Sequence, residues 1–102
     1  MDQLENEFHE AMVNIYRLAA KECNYRAKAF LAMVTEMGGV AAAKKLLGSD
    51  ALQSGLYELF ECGRLDLTVE ALVCQPKYED LFSHSELAEA KRRLDLLSGK
   101  GD

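Results

Sequence analysis

The chain predicts an all-α fold, a compact bundle of five or six helices. Three observations carry this. Apolar residues recur at helical spacing along most of the 102 residues. Seven glycines and a single proline punctuate those periodic runs. Ser83-His84-Ser85-Glu86 has the pattern of a capping box, a serine followed three residues later by glutamate. A hydrophobic share of 49% suits a globular chain that buries a core without staples. Residues 1–98 read as one helical domain and 99–102 as a frayed tail.

The first helix is expected from Asp2 to Glu22, with acids in its first turns and Arg17 and Lys21 in its last. Leu4, Phe8, Ala11, Ile15 and Leu18 form one apolar stripe, and Met12, Ala19 and Cys23 a second beside it. Asn24 punctuates, and a second helix runs from Tyr25 to Met37 with Phe30, Leu31, Val34 and Met37 as its core face. Ala27, Ala29, Ala32 and Met33 suit close helix approach, and one kinked rod is the alternative for these two helices. After Gly38-Gly39, Val40 to Leu47 forms a short helix ended by Gly48. Ser49 or Asp50 starts the next, which reaches Cys62 and buries Leu52, Leu56, Leu59 and Phe60. Gly55 inside it marks a close helix crossing.

Gly63 to Val73 is the stretch around which the rest is organised. Gly63 stops the preceding helix. Leu65 and Leu67 alternate with Arg64 and Asp66, so a short extended link buries both leucines. Thr68 caps a helix with Val69, Leu72 and Val73 on its apolar face, and Pro76 ends it. Arg64 is expected to pair with Asp66 or Glu70, so Gly63, Arg64, Leu65, Asp66, Leu67, Thr68 and Glu70 form a structural motif. Pro76 to Phe82 makes a tight turn tethered by Tyr78, Leu81 and Phe82. The last helix, His84 to Leu97, buries Leu87, Ala90, Leu94 and Leu97, while Lys91-Arg92-Arg93 forms a salt-bridged exposed face.

From Gly39 to Leu94 the chain resembles a small helical domain of uncharacterised bacterial proteins, some encoded on mobile elements such as integron gene cassettes. The residues that carry the resemblance are Ala43 to Leu47, Ser54-Gly55-Leu56, Gly63 to Val73, Tyr78, Leu81-Phe82 and Ala90 to Leu94. The resemblance implies a helical fold and a bacterial origin. It implies no reaction and supplies no catalytic residues.

Composition and motifs narrow the function. A net charge of −5 repels phosphate backbones, which disfavours nucleic acid as a partner. No apolar run approaches a membrane span, and the acidic N-terminus is unlike a signal peptide. Three cysteines, Cys23, Cys62 and Cys74, are an odd count without close spacing and read as reduced, buried thiols of a cytoplasmic protein. His9 and His84 read as surface residues, so no base stands ready for a nucleophile. Neither zinc-ligand spacing nor a phosphate-binding glycine loop is present, and Glu79-Asp80 and Glu58/Glu61 read as solvated faces. No catalytic, cofactor or metal residues are therefore expected.

The favoured reading is a non-enzymatic adaptor or regulatory domain whose partner is itself or another protein. The double stripe of the first helix would be its homodimer interface, through Leu4, Phe8, Ala11, Met12, Ile15 and Ala19. The competing account has the last helix fold back over the second stripe. The alternative function is a DNA-binding regulator like a helix-turn-helix, using residues 40–62 with Gln53, Ser54, Glu58 and Glu61 exposed. A small hydrolase with scattered carboxylates is the third reading.

Overall fold

Four- and three-residue steps place Phe8, Met12, Ile15 and Ala19 on one side of a helix, and the fold buries all four. The structure is a computed structural model that describes residues 3–50 and 54–99. Helix α1 spans Gln3–Cys23 and packs its stripe against the middle of the chain. It stops at Asn24, whose φ of 54° makes it the one non-glycine residue with positive φ among those described. The Tyr25 N–H then closes back on the Ala19 carbonyl at 3.1 Å. Asparagine tolerates this left-handed turn, so α1 and α2 are separate helices and not one kinked rod.

Helix α2 (Lys28–Met37) starts three residues later than the sequence suggests. Phe30 and Val34 enter the core and Leu31 is half-buried. Met37 is exposed, because it closes the helix at the Gly38 turn, and Ala29 and Ala32 face outward. Helix α3 (Gly39–Leu47) follows at once and buries Ala42, Ala43, Leu46 and Leu47. A Cβ on Gly39 would lie 2.6 Å from the His9 Cα, so the backbones of α1 and α3 meet where only glycine fits.

The helix expected over 49–62 is shorter, and its predicted core residue Leu52 lies outside the described residues. Helix α4 covers Leu56–Glu61. Gly55 is not inside a helix but precedes one, at φ 78°, with the Tyr25 ring 2.8 Å from where its Cβ would stand. The close approach there is a ring and not a crossing helix. Leu56 and Leu59 point inward, whereas Tyr57 and Phe60 are exposed.

Gly63 ends α4 as expected, and the Arg64 N–H bonds the Leu59 carbonyl at 2.8 Å. The link beyond it is not extended. Leu65–Leu67 is a single 3₁₀ turn, which takes away the period of two needed to bury both leucines. Only Leu67 is buried and Leu65 is half-buried. Thr68 caps α5 (Val69–Val73) by accepting from the Ala71 N–H at 3.1 Å. From Leu67 to Val73 every residue but Ala71 is buried, so the C-terminal part of this stretch is the centre and Gly63 to Asp66 the rim.

Pro76 opens another 3₁₀ segment, Pro76–Leu81. It delivers Tyr78 and Phe82 edge-on to Phe8, with ring centroids 5.0 and 5.2 Å away. Leu81 is half-buried. Ser83 and Glu86 form the expected capping box at the start of α6 (His84–Ser98). Gly99 ends it at φ 79°, and the rest of the predicted tail lies outside the described residues. Helix α6 buries Ala90 and Arg93, while Leu87, Leu94 and Leu97 sit at its half-buried edges.

Two expectations are corrected by this packing. Cys23 and Cys62 are not reduced, buried thiols: they form a disulfide, with Cα atoms 5.9 Å apart. Thirty-nine residues separate them, so only the fold shows that α1 and α4 end side by side. Cys62 is exposed, Cys23 is half-buried, and Cys74 is the free thiol. The cytoplasmic reading loses the argument from reduced cysteines. Among the described residues, no helix is long and apolar enough to cross a membrane. The second correction concerns the α1 stripe. Phe8, Met12, Ile15 and Ala19 are core residues of the single chain, and Leu4 and Ala11 pack half-buried at its edge. Helices α2, α3 and α5 and the 3₁₀ segments Leu65–Leu67 and Pro76–Leu81 are their main cover, rather than the last helix.

Candidate functional site

Of the central motif, the fold keeps Arg64 and Asp66 together and takes Glu70 away. The Arg64 Nε and Nη2 each donate to Asp66 at 3.0 Å, and Nη1 reaches Glu22 at the end of α1. The Arg64 hydrogen bond holds the Asp66 carboxyl below its ordinary pKa. This cluster ties the 3₁₀ turn to α1 at the surface.

Glu70 instead lies fully buried beneath α6. Its Oε2 accepts from Ser54 Oγ at 2.8 Å and from Arg93 Nη1 at 2.9 Å, while Oε1 has no hydrogen-bond partner among the described residues. Arg93 is the residue the sequence placed on an exposed face, and it is 4% exposed. Its Nε donates to Glu89, Nη1 to Glu70 and the Leu46 carbonyl, and Nη2 to the Leu47 and Ser49 carbonyls. All the N–H donors of a guanidinium are thereby used. The last α3 carbonyls need donors, and Arg93 brings them from α6. Lys91 and Arg92 do stay outside, paired with Asp95 and Glu89.

The other end of α3 is treated alike. The Gly39 N–H is an orphan donor of the first turn, and His9 Nδ1 of α1 accepts it at 3.0 Å. His9 is therefore half-buried and structural, not a surface residue, while His84 is exposed as expected. With Nδ1 accepting, His9 carries its proton on Nε2. Beside it runs an open groove of about 610 Å³, lined by Glu5, His9, Met37, Gly39, Val40 and Lys44. Lys44 is engaged elsewhere, bonded to Glu86 at 2.9 Å and lying over the Phe82 ring. A second hollow, between Tyr25, Phe30, Leu59 and Val69, holds about 20 Å³, room for one water. Among the described residues, no group of histidines, cysteines and carboxylates is placed to hold a metal ion.

Four large apolar side chains are exposed among the described residues, Met37, Leu96 and, together on α4, Tyr57 and Phe60. Tyr57 is 46% exposed and Phe60 40%. Three residues apart, they share a face of the helix. Glu58 and Glu61 flank them, both exposed, and neither is in an ion pair among the described residues. The opposite side of α4 sends Leu59 into a small cluster with Ala19 and Leu67, apart from the main core. Tyr25 edges this cluster, and burial followed by the Glu58 charge raises its hydroxyl pKa. The sequence pointed to Phe60 as a core residue. Gly55 was the signal that the helix begins late and has only a short face to bury.

The helix-turn-helix candidates fare unevenly. Ser54 is buried against Glu70, Gln53 lies outside the described residues, and only the acidic Glu58 and Glu61 are exposed. Comparison with family models, with curated proteins and with solved structures gives no match for this chain.

Proposed function

We propose that the chain is a protein-interaction domain without catalytic chemistry of its own, and that α4 is its docking face. The exposed pair Tyr57 and Phe60, rimmed by Glu58 and Glu61, carries this reading. Aromatic side chains supply large contact area at low entropic cost, and exposed ones side by side favour association. The acidic rim and the net charge of −5 select a partner with a basic, amphipathic segment. A second copy of the chain fits less well. An isologous contact would set Glu58 and Glu61 against their own copies, and like charges facing one another are repulsive. The first-helix dimer loses its basis, since Phe8, Met12, Ile15 and Ala19 are already enclosed.

Fluorescence anisotropy with a labelled amphipathic peptide of lysine and leucine repeats tests the reading. Binding is expected to weaken by about ten-fold or more in the double variant Tyr57→Glu and Phe60→Glu, because the new charges would be desolvated in the contact. Glu58→Gln with Glu61→Gln is expected to reduce the salt dependence of binding. Equal affinity in all three proteins would sink the proposal.

A further inference from the structure

Helix α4 is held in an unusual way. On either side stands a glycine in the left-handed region, Gly55 at φ 78° and Gly63 at φ 79°. Among the helices and turns, the Leu65–Leu67 turn is the main neighbour of α4. Its apolar anchors are two side chains, Leu59 in the small cluster with Ala19 and Leu67, and the buried Leu56. The covalent anchor is Cys62, at its C-terminal end, bonded to Cys23 at the end of α1. Cys62 is an exposed residue, so the bond lies at the surface of the molecule.

We infer that the Cys23–Cys62 disulfide is a redox clamp on α4, whose reduction frees the helix to move about Gly55 and Gly63 and so disorders the docking face. The co-reactant is a dithiol. One of its thiolates attacks Cys62 Sγ, the Cys23–Cys62 bond breaks, and Cys23 leaves as a thiolate that takes a proton. The second thiol of the reductant then displaces Cys62 from the mixed disulfide. Two electrons and two protons pass to the protein, and the reductant leaves as a cyclic disulfide. The oxidised chain presents Tyr57 and Phe60 on a fixed helix, and a preorganised face binds more tightly than a mobile one. The consequence for binding rests on the docking reading above; the clamp itself does not.

Amide hydrogen exchange on the full chain, before and after reduction with dithiothreitol, tests the clamp without any partner. Exchange at Leu59, Phe60 and Glu61 is expected to accelerate by about ten-fold or more on reduction, with α1, α3 and α5 unchanged, as for a local opening. Cys62→Ser should exchange fast in α4 with or without reductant, and Cys74→Ser should respond as the parent does. Unchanged exchange in α4, uniform acceleration across the chain, or free thiols at Cys23 and Cys62 in the air-oxidised protein would each overturn the clamp. The lysine–leucine peptide should bind the oxidised form about ten-fold more tightly. Equal binding to both forms would overturn control of docking. Binding to neither would remove the docking reading and leave the exchange result to decide the clamp.

Discussion

Arg93 joins three helices through one side chain, and its neighbours cannot replace it. It bonds Glu70 in α5, carbonyls at the end of α3 and Glu89 in its own helix. Breaking a buried pair leaves a lone charge in a poorly solvated place, so Arg93→Ala should cost about 3–5 kcal/mol in urea denaturation. Arg93→Lys should also destabilise, since an ammonium has fewer donors and no planar fork. A loss below about 0.5 kcal/mol in the alanine variant would mean that water reaches Glu70. Gly39 makes the same point through sterics. Gly39→Ala would press a methyl group onto the His9 backbone, which cannot yield as a side-chain tip would. A cost of about 1–3 kcal/mol is expected. Gly48→Ala is the control: its nearest atoms would be 3.6 Å from the new carbon and its φ is −86°, so a change within about 0.5 kcal/mol is expected.

At the scale of elements, the start of α6 is set by local charge and hydrogen bonding, and this predicts acid sensitivity. Hydrogen bonds from Arg92 and then Arg93 lower the Glu89 carboxyl to about 2. Burial alone would raise Glu86, but the Ser83 N–H and Lys44 outweigh it and hold it below its ordinary value. A carboxyl whose folded pKa lies below its unfolded one binds its proton more tightly in the unfolded chain. Its stabilisation is therefore full above the unfolded value and is lost as pH falls toward the folded one. For Glu89 that window runs from its unperturbed 4.5 down to about 2. Thermal midpoints should fall across this range, and Glu89→Gln should flatten the fall. An unchanged slope in that variant would place the acid-sensitive groups elsewhere, Asp66 first, since Arg64 also holds it low.

At the scale of the whole molecule, the double stripe on α1 prompted the expectation of a dimer. Enclosure of Phe8, Met12, Ile15 and Ala19 by the rest of the chain removes that need. Light scattering at high micromolar concentration should return the monomer mass of 11.4 kDa. A dimer at that concentration would have its interface on an exposed face, with α4 the place to look, and Tyr57→Glu with Phe60→Glu should then split it.

What the sequence by itself determined was local. The capping box at Ser83, the Thr68 cap, the stops at Asn24 and Gly63 and the α1 stripe each depend on residues within one or two turns, and spacing alone reveals such contacts. Tertiary structure decided everything that joins residues far apart. Arg93 read as a surface base because Glu89 lies one turn away, while Glu70 and the α3 carbonyls lie 23 or more positions off. Cys23 and Cys62 read as free because nothing in their spacing brings α1 and α4 together. Residue type reports burial well for phenylalanine or leucine, whose free energy of transfer has one sign. It does not do so for arginine, glutamate or cysteine, whose placement depends on whether a partner waits in the fold.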